Sequence, residues 1–323
     1  MEKEKRMLKP YHGIITFVCF LIMLFIVSPL IQSKLNLGLY GTLVGELLFL
    51  AVAVGSVAVF RGDFRRVFPI RKPKASGIFG TLILWLGTLL ATMVVTLILT
   101  YFFPQQMMGT SQSIGDTFTS APFLVAAFIV SIAPAICEEA VFRGVLLNSL
   151  WPLNNKWLVI SIVGVVFGIC HGSIWRFFPT AILGIVMGYL VVETNNIVYS
   201  TLFHFVNNLL PILMLFGLQT LSGSASSAGT VTLSRVPLAS VGIYVIFASA
   251  VPFLLYIGNY LIHKGRPGAP TQLFPREKRN SLYFLIAIAG ILFVCGVILM
   301  IASAFVDVTF FQEIFNNSGY RGY

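Results

Sequence analysis

Charge is what this sequence has least of. Of its 323 residues, 21 are Lys or Arg and 11 are Asp or Glu, 10% in all, while 57% are hydrophobic. Soluble domains carry roughly 25% charged residues. A soluble fold is therefore excluded, and the chain reads as an all-α polytopic transmembrane helical bundle. Cysteine is scarce as well. Cys19, Cys137, Cys170 and Cys295 lie in apolar runs, with no CxxC pair and no Cys/His cluster. That pattern argues against a thiolate metal centre and leaves them as small packing residues. The basic opening "MEKEKRMLKP" is like that of a signal peptide, but no small-residue cleavage site follows its long apolar run, so the first helix is expected to remain as an anchor. No internal repeat and no soluble domain boundary is evident.

A spanning helix needs about 20 mostly apolar residues. Runs of that kind occupy 13–33, 37–60, 77–103, 122–149, 156–173, 179–193, 196–217, 236–262 and 281–304, which predicts eight or nine spans with the sixth the shortest. They divide into N-terminal helices 1–3 with an outside loop (1–121), a core of helices 4–7 (122–217), and helices 8–9 with a tail (218–323). The net charge of +10 is accounted for by topology rather than by nucleic acid. With the N-terminus cytoplasmic, most Lys and Arg fall before residue 13, in 61–74 and in 263–280, whereas the other face holds Lys34, Arg176, Arg235 and Arg321. That asymmetry is the positive-inside pattern, and it predicts that the inner loops rest on anionic headgroups. Outside, 104–121 and 219–234 are rich in Ser, Thr and Gly and read as flexible connectors. The aromatic tail after Ala304 is expected at the interface.

Against this background three helices carry unusual residues. Each ionisable group at the centre of a bilayer costs about 2.5–3.5 kcal/mol on insertion scales. Yet helix 4 reads "ICEEAVFRG", with Glu138, Glu139 and Arg143. Glu139 and Arg143 are four apart, acid first, so they share a face and can neutralise one another. Glu138 is turned about 100° away and is free to face a wet cavity. Pro134, four residues earlier, removes a backbone donor and leaves a carbonyl free near the site. Helix 5 reads "VGVVFGICHG", with Phe167 and His171 at i and i+4 and a Gly164, Gly168, Gly172 stripe for close helix approach. Helix 7 reads "STLFHFVNN", with Ser200, His204 and Asn208 on one face. At the α-helical rise, Glu138, His171, His204 and Asn208 lie about 15, 20, 12 and 18 Å from the cytoplasmic ends of their helices, in one slab.

Two imidazoles, a carboxylate and an amide in such a slab suit amide hydrolysis. A carboxylate in an apolar pocket can accept a proton from water near neutrality. His171 could orient that water, and His204 with Asn208 could donate to the oxyanion. Alternatively, Glu138, His171 and His204 could hold a zinc ion, although no HExxH signature is present. Ser200 lacks the third member that a serine nucleophile needs. Glu46 in helix 2 could pair across the bundle or border an aqueous vestibule. Glu193 lies at the turn between helices 6 and 7, and Gly184 and Gly188 read as packing residues.

Together, "EEAVFR" (Glu138, Glu139, Arg143), "FGICH" (Phe167, His171) and "HFVNN" (His204, Asn208) resemble the EExxxR, FxxxH and HxxxN motifs of the CAAX protease and bacteriocin-processing intramembrane proteases, the CPBP or Abi family of type II CAAX prenyl endopeptidase-like enzymes. The resemblance covers about residues 122–215. It implies an intramembrane endopeptidase acting on a membrane-embedded or lipidated protein or peptide, in CAAX-type processing, bacteriocin or signal peptide maturation, or immunity. It also implies a site in which Glu138 and His171 activate water, His204 and Asn208 stabilise the oxyanion, and Glu139 and Arg143 support them. No firm cofactor follows, zinc being the open alternative. The expected location is the cytoplasmic membrane of a prokaryote, with no nucleic-acid partner and an oligomeric state the sequence leaves open. Two other readings compete. A catalytically idle membrane regulator or immunity protein sits poorly with the intact residue set. A proton-coupled transporter would need paired broken helices in two related halves, which the sequence does not show.

Overall fold

The computed structural model describes residues 7–118, 120–222 and 236–307, and the regular structure among them is helical throughout. Lys3, Lys5 and Arg6 of the basic opening, the 219–234 connector beyond Ser222, Arg235, and the tail from residue 308 lie outside the described residues. The helices are α1 (Pro10–Leu35), α2 (Leu39–Val59), α3 (Ala75–Phe102), α4 (Pro104–Phe118), α5 (Phe123–Leu153), α6 (Lys156–Cys170), α7 (Ile174–Thr194), α8 (Ile197–Ser222), α9 (Leu238–His263) and α10 (Arg279–Val306). Eight are long and apolar enough to cross a membrane. The chain is thus a multi-pass helical membrane protein.

Two expectations change. The short helix is α6, not α7. Its 15 residues rise about 22 Å, less than the roughly 30 Å of hydrocarbon. It ends where Gly172 turns the chain at φ +65, a conformation glycine adopts without strain. This glycine therefore belongs to the turn rather than to the packing stripe. α7 starts five residues before Pro179, which sits inside the helix. Beside it, the Thr180 hydroxyl donates to Arg176 O at 2.6 Å. The second change concerns 104–121, expected as a connector. It is largely the helix α4, opened by a proline at its first position, where a missing N–H costs nothing.

Close helix contacts organise the bundle. A side chain at Gly164 or Gly184 would overlap the facing backbone, so α6 and α7 meet as a tight hairpin. Gly80 and Gly258 do the same for α3 and α9, and Gly242 and Gly296 for α9 and α10. α5 lies at the centre, against α1, α2 and α8. Around it Phe20, Phe142 and Phe167 pack edge to face at 5.2 and 5.1 Å between centroids. α5 is not a regular helix: its turns widen over Phe128–Ile132 and again over Ala140–Leu146. Such widened turns often mark functional sites, and both flank the segment that carries Glu138 and Glu139.

Candidate functional site

Arg143 and Glu139 are fully buried and joined at 2.7 Å, the intrahelical pair their spacing predicts. Arg143 does more than neutralise. Its second guanidinium nitrogen donates to Gly184 O of α7 at 3.0 Å, and its plane lies 4.5 Å from the Phe167 ring of α6. One side chain therefore ties α5, α6 and α7 together. Only a guanidinium has the donors and the flat face to do this at once. The carbonyl it takes is available because Gly184 has no side chain to cover it.

Glu139 also reaches across the bundle. Its carboxylate oxygen lies 3.3 Å from His204 Nδ1 on α8. This contact fixes the ring and points Nε2 at Glu138, whose Oε2 is 3.9 Å away. Sequence reasoning placed Glu139 in support of Arg143 and missed its second role as the orienter of His204. The signal lay in the histidine: a buried imidazole needs a partner for each nitrogen. Glu138 differs from its neighbour as expected. It is partly accessible, and among the described residues its Oε2 has no hydrogen-bond partner.

His171 caps α6 with Nδ1 on Phe167 O at 2.9 Å. A carbonyl only accepts, so Nδ1 carries the hydrogen, and a neutral ring then leaves Nε2 as an acceptor. Phe167 packs edge-on against both histidines, at 4.8 Å to His171 and 5.7 Å to His204. It is the spacer that sets the two rings apart.

Asn208 resolves the question of the carbonyl that Pro134 leaves open. With no N–H at Pro134, Val130 O lacks its helical donor, and Asn208 Nδ2 supplies one at 3.2 Å. Asn207 donates to Asn208 Oδ1 at 3.4 Å. The amide is thus held from both ends with one N–H still free. Ser200 donates to Ile197 O within its own helix. Glu138, Glu139, Arg143 and His204 form one contact network. His171 touches it through Phe167, and Asn208 is bonded instead to Val130 O, one turn before Pro134.

The zinc alternative needs Glu138, His171 and His204 as one ligand set. Among the described residues no group of three His, Cys, Asp or Glu is placed to hold a metal ion. The remaining histidines have structural partners. His12 stacks on Phe60 at 4.3 Å. His263 Nε2 lies 3.0 Å from Glu193, which also takes Lys156 Nζ at 2.8 Å. Glu193 is therefore no plain turn residue: it fastens the end of α7 to α6 and α9.

Residues 120–210 match the family model described as Type II CAAX prenyl endopeptidase Rce1-like, which bears out the resemblance over that region. Two curated proteins are similar over a comparable stretch. The protein named "Putative membrane peptidase YdiL" of Bacillus subtilis (strain 168) is 25% identical over 104 residues, covering 32% of this chain and 42% of that protein. The "UPF0177 protein YxdF" of Lactococcus lactis subsp. lactis (strain IL1403) is 28% identical over 95 residues, covering 29% of this chain and 52% of that protein. The chain thus spans about half the length of the curated relatives it matches. No solved structure matches it.

Proposed function

We propose that this chain is an intramembrane endopeptidase that hydrolyses a peptide bond of a membrane-embedded or lipidated protein or peptide. The observation that carries the reading is the network in which Glu139 holds His204 and turns its Nε2 toward the unpaired oxygen of Glu138. Glu138 acts as general base, taking a proton from the attacking water and handing it to the departing amine nitrogen as the C–N bond breaks. His171, with its Nδ1–H committed to Phe167 O, accepts from the same water and orients it. His204 gives Nδ1–H to Glu139 and, when doubly protonated, Nε2–H to the oxyanion. The free N–H of Asn208 is the second oxyanion donor, aimed by Val130 and Asn207. Arg143 keeps Glu139 ionised and in place. The reading also places the chain in the cytoplasmic membrane of a prokaryote with its N-terminus inside, where basic loops such as 61–74 meet anionic headgroups.

The test is hydrolysis by purified protein of a panel of prenylated and unmodified peptides, with and without a chelator. Cleavage of at least one peptide, undiminished by chelation and absent in Glu138→Ala, is expected. An intact panel, or cleavage that survives Glu138→Ala, overturns the reading.

A further inference from the structure

Glu46 of α2 is 5% exposed, lies within electrostatic reach of Glu138, and has an Oε2 with no hydrogen-bond partner. Nothing in the mechanism above uses it. A buried carboxylate oxygen without a donor is costly unless something supplies one. The surroundings show that it is not alone. On α1, Ser28 and Gln32 stand one turn apart and settle onto Gly45 and Gly41, one turn apart on α2. Among the described residues, Ser28 Oγ and Gln32 Oε1 are buried and without hydrogen-bond partners, as is Ser131 Oγ on α5. Orphaned polar atoms thus follow the wall where α1, α2 and α5 meet.

That wall opens at one end of the bundle. A groove of about 660 Å³ lies between the α1–α2 connection and the end of α4, and Ser28, Gln32 and Thr42 line it. Thr42 is one turn from Glu46 on the same face. Ser28, also in the lining, settles on Gly45, the residue before Glu46. Water is the occupant whose chemistry fits. It can give and accept at each step, and ordered waters typically satisfy two to four such groups. The groove lies at the end of the bundle opposite the basic 61–74 segment, so it is a separate entrance from the cytoplasmic side.

We propose that the groove between α1, α2 and α4 is the mouth of a polar path that carries water through the α1–α2 seam to Glu138, with Glu46 as its innermost positioning residue. That the water is the hydrolytic one rests on the endopeptidase reading; that the path is wet does not.

Accessibility tests the path without any cleavage assay. In full-length protein whose four cysteines are replaced by alanine, Ser28→Cys and Thr42→Cys are each exposed in membranes to a charged, membrane-impermeant thiol reagent. Leu47→Cys, on the outward face of α2, is the control. The path cysteines are expected to react at least tenfold faster than the control, and equal or slower reaction overturns the path. The role of Glu46 is read from turnover. Glu46→Leu is expected to lower kcat roughly tenfold with KM unchanged, about the effect of one lost hydrogen bond to water, and Glu46→Gln, which keeps a hydrogen-bonding end, to restore most of it. Wild-type kcat in Glu46→Leu overturns that role. If wild-type protein cleaves no peptide, the endopeptidase reading fails while the labelling still decides the path.

Discussion

α5 and α10 are both apolar enough to cross a membrane, yet protein buries 61% of the most apolar stretch of α5 and only 6% of that of α10. α10 has no Asp, Glu, His, Lys or Arg after Arg279, packs mainly on α9, and turns most of its large side chains outward. For α10 the lipid is the solvent, and almost any apolar side chain serves. α5 carries Glu138, Glu139, Arg143 and Pro134, with one widened turn before Pro134 and the two glutamates and a second, which holds Arg143, after them. Those groups are tolerable only because protein surrounds them: Gly184 O, Phe167 and His204 take the places that water would fill. Hydropathy therefore shows that a helix enters the membrane, while burial shows which helix has specific chemistry to hold in place.

The largest expected effect lies in Glu138, the α5 carboxylate outside the Arg143 pair. Glu138→Gln keeps the shape and removes the base, and should lower kcat roughly 10²- to 10⁴-fold. Thermal unfolding in detergent should stay near wild type, because Glu138 is not part of the ion pair. Normal turnover by Glu138→Gln on a peptide that wild type cleaves would reduce α5 to a buried version of α10.

Arg143→Met should break the comparison from the other side. It leaves Glu139 buried without its cation, and removing one partner of a buried pair costs about 3–5 kcal/mol. Loss of the Gly184 bond adds to the separation of α5 from α7. The double variant Glu139→Leu/Arg143→Met should recover much of the unfolding temperature but not turnover, since His204 has lost its orienter. Equal stability of Arg143→Met and wild type would show that the pair does not support the core.

Much of this was legible in the sequence. The bundle, the Glu139–Arg143 pair and the separate face of Glu138 follow from composition and helical spacing alone, because each depends on neighbours within one helix. The carbonyl freed by Pro134 was also foreseeable, though not that Asn208 would take it. What spacing could not supply were the bonds between helices: Arg143 to Gly184, Glu139 to His204, and Glu193 to Lys156 and His263. These depend on rotation and depth of packed helices, which a single sequence does not encode locally. The shortness of α6 was misplaced for a related reason. The span expected from 179 begins five residues earlier, at Ile174, with Pro179 inside α7. The helix at 104–118 was hidden by polar composition and by Gly109 and Gly115, although a proline stands at its first position.

The smallest expected effect uses glycine to compare the two regions at the same level of change. A side-chain carbon at Gly164 would come within 2.6 Å of the Ile185 backbone nitrogen, so Gly164→Val must push α6 away from α7. Overpacking of this kind costs roughly 1–3 kcal/mol. It also shifts Phe167, the ring on which both histidines rest, so turnover should fall along with the unfolding temperature. At Gly290 of α10 nothing lies within 4 Å of the same position. Gly290→Val should therefore change stability by no more than about 0.5 kcal/mol, as for ordinary surface changes, and leave turnover alone. Thermal unfolding of the two variants, read beside the cleavage rate of each, checks the pair. Equal losses would mean that α10 is held by contacts as specific as those of α6 and α7, and that its outward side chains meet something other than lipid.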